Sequence, residues 1–198
     1  MLFVPNQTEM SIINRLVTIH SGIPPYHNDW NKNDLKKRTA SMTEILSYNL
    51  QIDCKAVSFD DIENKYISYR PHLIVIDFLQ LIIAGRGKHR REDIKHILKR
   101  LKKLALICSC PVLVLSSLSR QVECRISQEP IPEDLLYADK GLKYADEILL
   151  LYRERIEHPE TAYLKIAKHI EQPDGIIKLS FNPACMHFTD FQIMNDNK

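Results

Sequence analysis

Residues 72–80 read His-Leu-Ile-Val-Ile-Asp-Phe-Leu-Gln. Four apolar residues lead into one aspartate, and more apolar residues follow it. An unbroken apolar run of this kind suits a strand buried on both faces of a parallel sheet. Parallel strands need crossover connections, so the pattern implies a layered α/β fold. In open α/β sheets ligands gather outside the carboxyl ends of the strands, where Asp77 stands. An acid there holds Mg²⁺ through water in ATPases that carry a glycine-rich phosphate loop. A core strand that merely ends on a capping aspartate has the same look.

A chain of 198 residues fits one domain with a sizeable core. With 44% hydrophobic and 26% charged residues, it belongs with folded globular proteins rather than disordered ones. The formal net charge is only +2, so overall charge does not announce a nucleic-acid binder. The distribution says more. From Arg86 to Lys103 there are nine Lys or Arg against two acids, Glu92 and Asp93. Five cysteines give an odd count without framework spacing, and Cys108 and Cys110 are too close for a zinc knuckle. They read as reduced thiols of a cytoplasmic protein. No run reaches about 18 apolar residues, and no signal peptide is evident, so no membrane partner is expected.

Along the chain, Leu2 to Val4 is a short apolar run stopped by Pro5. Thr8 can cap a helix starting near Glu9, which Gly22 and Pro24-Pro25 end. Asn31 to Leu50 reads as a helix, Ile52 to Val57 as a short strand, and Ser58 to Arg70 as another helix. After the strand ending at Asp77, the Gly85–Gly87 region is a loop. The next helix carries Ile94, Ile97, Leu98, Leu101, Leu104 and Ala105 on one face. Pro111 to Leu115 and Glu147 to Tyr152 are further buried strands. Ala162 to Ala167, Ile176 to Phe181 and Met186 to Phe188 are short strands expected to pair antiparallel. This alternation predicts a mostly parallel sheet with helices on both faces, closed by antiparallel strands at the C-terminal end.

The order of these pieces resembles the C-terminal, RecA-like motor domain of the DnaB-type hexameric replicative DNA helicases. The likeness runs from about Phe3 to Phe188. Glu9-Met10-Ser11, Arg15-Leu16 and Ser21-Gly22-Ile23 look like the segment after the family's second strand. Leu73 to Leu81 is similar to its Walker B strand. Leu101 to Leu106 and Pro111 to Ser116 resemble the next helix and strand. Leu118-Ser119-Arg120, Val122-Glu123 and Arg125 follow, then Ala145-Asp146, Leu151-Tyr152-Arg153, and the late hairpin with Ala167-Lys168, Pro173 and Gly175. The resemblance implies one RecA-like core over residues 1–190, with 191–198 as a tail. A recombinase- or clock-type RecA relative is a further reading, but Asp77-Phe78-Leu79-Gln80-Leu81 favours helicase.

The resemblance also implies roles. Glu9 stands where the family orients the attacking water. Asp77 stands where the family holds the Mg²⁺ water shell of ATP. Lys168 matches the first cation of a pair that reaches a neighbouring subunit's site. Read bare, Glu9 also suits the first turn of a helix, and Lys168 a solvated strand. Four elements depart from the family pattern. The phosphate loop Gly-x-x-x-x-Gly-Lys-Ser/Thr appears nowhere, so the chain is expected to begin after it. Ile170 occupies the arginine-finger position. Ser117 replaces the glutamine that senses the γ-phosphate. Asp134-Leu-Leu-Tyr-Ala-Asp139 replaces the DNA-gripping Asp-Leu-Arg-Glu-Ser-Gly. Unwinding is therefore not expected of this chain alone.

Arg86, Lys88, Arg90 and Arg91 follow the Asp77 strand on the loop side, and Arg120 and Arg125 add to the basic surface. Phosphates attract such a patch, which predicts salt-sensitive contact with single-stranded DNA. No aromatic residue interleaves with it, so base stacking there is not expected. Two functions fit. One is a helicase motor domain in a homohexameric ring, lacking its phosphate loop. The other is a non-enzymatic module that docks on another helicase subunit as loader or regulator.

Overall fold

The computed structural model describes residues 1–25, 30–56, 58–83, 90–137, 139–153, 158–170 and 175–191. The chain divides into two compact units, residues 1–9 with 50–148, and residues 10–49 with 149–198.

The first unit is built on a parallel sheet. Its strands are β1 (Leu2–Phe3), β2 (Ile52–Asp53), β3 (Ile74–Ile76) and β4 (Val112–Val114), in the order β2-β1-β3-β4. Leu2 lies between Ile52 and Val75, and Val75 is opposite Leu113. The connections β2 to β3 and β3 to β4 carry α3 (Phe59–Tyr69) and α4 (Arg90–Cys108). Ser58 caps α3 by accepting the Asp61 N–H, and Asp61 returns the bond to the Ser58 N–H at 3.0 Å. This reciprocal cap satisfies two donors that a helix start otherwise leaves open. Along α4, Ile94, Ile97, Leu101 and Leu104 recur at helical spacing and are buried. They pack with Phe59 and Ile62 of α3 and with Phe3, Ile74 and Ile76 of the sheet. That single cluster fixes both helices on one face of the sheet. Strand alternation puts Leu2, Val75, Leu113 and Leu115 on the other face.

The second unit holds the helices α1 and α2 and an antiparallel sheet. α1 (Glu9–Ser21) and α2 (Lys32–Ser47) are joined by polar contacts. Arg38 of α2 donates to the Ile23 carbonyl at 2.9 Å and to Thr18 Oγ1 at 3.3 Å, with its guanidinium 4.9 Å from the Trp30 ring centroid. Asn31 caps α2 from outside the helix, accepting the Asn33 and Asp34 N–H groups at 2.8 and 3.0 Å. The sheet runs β5 (Ile148–Arg153), β6 (Thr161–Lys168), β7 (Gly175–Asn182) and β8 (His187–Asp190), in that order. β6, β7 and β8 pair antiparallel, as the sequence predicts. Tyr152 and Tyr163 stack with ring centroids 5.2 Å apart.

Among the described residues the expected helices and strands form (the Gly85–Gly87 loop lies outside them). However, β4 and β5 are not the buried strands expected, since Leu113, Leu115, Leu149 and Leu151 are exposed, and some strands are shorter than the apolar runs. β2 stops at Asp53 because its carboxylate accepts the Lys55 and Ala56 N–H groups at 2.8 and 2.9 Å, which turns the backbone out of the ladder. β3 stops at Ile76, and a 3₁₀ turn over Leu79–Leu81 takes up the rest of the run. No described helix is long and apolar enough to cross a membrane.

Candidate functional site

Parallel strands deliver their carboxyl ends to one edge of a sheet, and three of these exits carry the sequence candidates. β1 leaves through Val4-Pro5 and reaches Glu9, which is exposed in the first turn of α1. β3 leaves directly into Asp77, which is half-buried, and the Asp77–Phe78 peptide bond is cis. β4 leaves through Leu115 and Ser116 to Ser117. The exits are laced together by backbone bonds. Asp77 N–H donates to the Phe3 carbonyl at 2.9 Å, Leu115 N–H to Ile76 at 2.9 Å, and Leu79 N–H to Leu115 at 2.8 Å. Glu9, Asp77 and Ser117 therefore follow three neighbouring strands, β1, β3 and β4, at the same end of the sheet.

Gln80 organises the space between these exits. Its Oε1 accepts the Ser117 N–H at 3.1 Å. Its Nε2 donates to Ser116 Oγ at 2.8 Å and to the Leu136 carbonyl at 2.7 Å. Leu136 N–H donates in turn to the Ser117 carbonyl at 2.9 Å, and Ser119 N–H to the Asp134 carbonyl at 2.7 Å. The segment over Asp134 to Leu136 is thus tied to the segment carrying Ser117. The sequence pattern by itself assigns Gln80 no role. A polar residue inside an otherwise apolar run was the available signal.

The basic residues occupy different environments. Arg90 is half-buried and donates to the Gln80 and Ile82 carbonyls, so it closes the turn after the Asp77 strand. Arg125 pairs with the buried Asp134, which also accepts the Ile131 N–H at 2.8 Å. Arg91 and Arg120 are exposed. Arg86 and Lys88 lie outside the described residues. Further along α4 the charge is largely answered within the unit. Arg100 contacts Asp60 at 2.8 Å and Glu63 at 3.1 Å and lies 3.9 Å from the Phe59 ring centroid. Lys102 contacts Asp146 at 2.5 Å, and Lys95 contacts Glu92 at 3.3 Å. Lys168, the last residue of β6 in the second unit, is half-buried, and Ile170 just beyond it is exposed.

A cleft of about 700 Å³ runs beside β2, lined among others by Glu9, Asp53, Cys54, Lys65 and Tyr69. Asp77 and Ser117 do not line it. Burial pushes the Cys54 thiol up, and the carboxylates of Glu9 and Asp53 add to the shift. Burial also pushes the Asp53 carboxyl up, but the Lys55 and Ala56 N–H groups and the Lys65 ammonium, 3.4 Å away, outweigh it and leave the group below its ordinary value.

Among the described residues no three His, Cys, Asp or Glu cluster as a metal cage. A single half-buried carboxylate such as Asp77 nevertheless suits Mg²⁺, which keeps several waters and takes other ligands from substrate phosphates. The phosphates themselves have no glycine-rich cradle or lysine of the Gly-Lys-Ser/Thr kind anywhere in the chain.

A family model described as the DnaB-like helicase C terminal domain matches residues 1–190. A probable replicative DNA helicase of Trieres chinensis is 34% identical over 129 residues, covering 60% of this chain and 28% of that protein. The replicative DNA helicase DnaB of Geobacillus stearothermophilus is 32% identical over 160 residues, covering 75% of this chain and 35% of that protein. Among solved structures, an ATPase domain superposes with a TM-score of 0.89 at 28% identity, covering 96% of this chain and 74% of that one. A DnaB-like replicative helicase, solved for its interactions with primase, gives the same TM-score and identity, and the match covers 50% of its own length. The chain spans only about a third, or less, of the curated relatives it matches.

Proposed function

Because the chain belongs to the DnaB-like helicase C-terminal domain family, we propose that it forms the acid-bearing part of a replicative DNA helicase motor, acting on ATP and single-stranded DNA as one subunit of a hexameric ring. A cytoplasmic site of action goes with that role. Asp77 holds the Mg²⁺ water shell, and Mg²⁺ when bound neutralises charge on the phosphates. Glu9 orients the attacking water and accepts its proton. Ser117 takes the polar position beside the γ-phosphate, and Lys168 serves the neighbouring subunit's site. Arg86, Lys88, Arg91 and Arg120 supply positive charge for the DNA backbone. Arg90 and Arg125 act on the same surface by fixing its loops.

One observation carries this reading. Glu9, Asp77 and Ser117, far apart in sequence, follow adjacent parallel strands at one end of the sheet, which is where α/β folds bind ligands. The phosphate loop has to come from outside these residues. The test therefore grafts residues 1–190 in place of the matching segment of the Geobacillus stearothermophilus helicase, whose remaining chain is retained. We expect DNA-stimulated ATP turnover by the graft, falling roughly 100-fold in Glu9→Gln. Turnover that survives Glu9→Gln unchanged would overturn the assignment.

A further inference from the structure

The antiparallel sheet of the second unit has two unlike faces. Across its ladders Ala162 is opposite Leu179, Leu164 opposite Ile177, and Phe181 opposite Phe188. Ala162 has no accessible surface, and the Phe181 and Phe188 ring centroids are 4.6 Å apart. That face is the apolar one. Residues alternate between the faces of a strand, so the other face carries Thr161, Tyr163 and Lys165 of β6 opposite Ser180, Lys178 and Ile176 of β7. A solvated face normally reads polar, but this one mixes cations with rings. Tyr152 of β5 stacks on Tyr163 at 5.2 Å, with planes 23° apart. Lys178 lies directly across from Tyr163, and its ammonium sits 3.9 Å from the Phe191 ring centroid. Tyr152, Tyr163, Lys178 and Phe191 thus form a row from β5 to the end of β8, about 14 Å at the usual strand spacing. Lys178 is exposed, Ile176 is 53% exposed and Phe191 38%. β6 and β7 contain no Asp or Glu, and the one acid of β8, Asp190, is opposite Leu179 and so on the apolar face.

We propose that this face binds single-stranded nucleic acid by stacking bases on its rings, as a surface separate from the basic segment after the Asp77 strand. Three arguments select this occupant. First, every base has an aromatic face, so rings presented on a surface take bases with little regard to sequence. Four-stranded sheets that recognise RNA stack two or three bases on such rings, which suits a row of this length. Second, the charge is of one sign. Lys165 and Lys178 answer phosphates, and no carboxylate of β6, β7 or β8 shares their face. An acidic peptide would use the two lysines but leave the rings without a planar partner. Third, the composition supplies what the Arg86 to Lys103 segment lacks. Cations stand there without rings, so that segment can hold a backbone but not a base. This inference stands whether or not the catalytic assignment of Glu9 and Asp77 holds.

The probe is a fluorescein-labelled thymidine oligonucleotide of about 15 nucleotides, added to the full chain and followed by anisotropy across a salt series. We expect Tyr163→Leu and Phe191→Leu each to weaken binding roughly tenfold while the salt slope is kept, because stacking is lost and charge is not. Lys178→Gln should lower the slope by about 0.7. With iodouracil in place of thymine, ultraviolet cross-links should fall on Tyr163 or Phe191. Should Tyr163→Leu fold poorly, Phe191→Leu makes the same comparison at an exposed position beyond the last strand. Unchanged affinity in both leucine variants overturns the proposal. So does a polyglutamate peptide that binds as tightly as the oligonucleotide and loses as much affinity in Phe191→Leu, because the face then takes an acidic protein segment. Affinity lost only when Arg86→Ala and Lys88→Ala are combined would also overturn it, while keeping the loop as the DNA contact. Ring-dependent binding that survives those two changes supports the sheet and removes the loop.

Discussion

Gln80 donates its side-chain amide to the Leu136 carbonyl at 2.7 Å across 56 positions of sequence. The same side chain accepts the Ser117 N–H and donates to Ser116 Oγ. One residue therefore joins the turn after the Asp77 strand, the exit of β4, and the segment over Asp134 to Leu136. Each bond is modest, but a partly buried donor or acceptor left open costs more than the bond contributes. We expect Gln80→Ala to lower stability by about 2 kcal/mol in urea titration. Amide exchange should rise at Ser117 and Leu136 together. A loss confined to one of the two segments would show that they are not coupled through Gln80.

Asp53 gives a pH dependence with a definite sign. Its folded carboxyl titrates below the ordinary value, because backbone donors and Lys65 outweigh the burial that opposes them. The unfolded group titrates near about 3.9. Its stabilisation is thus fully present above that value and is lost as pH falls through the lower, folded one. Asp53→Asn keeps an acceptor for Lys55 and Ala56 but removes the charge facing Lys65. The variant should be less stable at neutral pH and converge on the parent under strong acid. Urea midpoints at about pH 6 and about pH 3 decide it, and a gap that is equal at both would contradict the assignment.

Element types were legible because apolar spacing reports them. The start of α1 at Glu9 and the stripe from Ile94 to Leu104 need only local pattern. Strand length was less legible. The apolar run continues past Ile76, while the hydrogen bonds that end β3 involve Leu115, distant in sequence. The tie between Ser117 and Leu136, and the pairing of Lys102 with Asp146 across 44 positions, leave no periodic trace. Charge in a sequence also says nothing of its partners. Arg86 to Lys103 reads as a continuous basic run, yet Arg90 binds carbonyls and Arg100 and Lys102 face carboxylates. Asp77 was marked by the apolar run that ends on it, whereas Glu9 was singled out only through family resemblance.

That division of the basic residues separates two classes of variant in DNA binding. Arg86→Ala and Lys88→Ala combined should weaken single-stranded DNA binding and lower the salt slope by roughly 1.4, at about 0.7 per phosphate contact. Arg100→Ala and Lys102→Ala should leave that slope unchanged, because their charges are engaged by Asp60, Glu63 and Asp146. Affinity measured against salt for both sets tests the distinction. Equal slopes would mean that the loop after the Asp77 strand is not where DNA lies.

The isolated chain and the graft should respond oppositely to loss of Asp77. A metal held by one carboxylate depends on phosphate oxygens for further ligands, and this chain has no loop to bring those phosphates. Asp77→Ala should therefore leave ATP turnover by the isolated 198-residue chain at its parent level. In the graft, where a phosphate loop is supplied, the same change should cost at least roughly 100-fold, in line with losing a group that stabilises transition-state charge. Colorimetric phosphate release with and without single-stranded DNA reads both. A clear loss in the isolated chain would mean that it binds phosphate through residues other than a glycine-rich loop. No loss in the graft would remove Asp77 from the metal site.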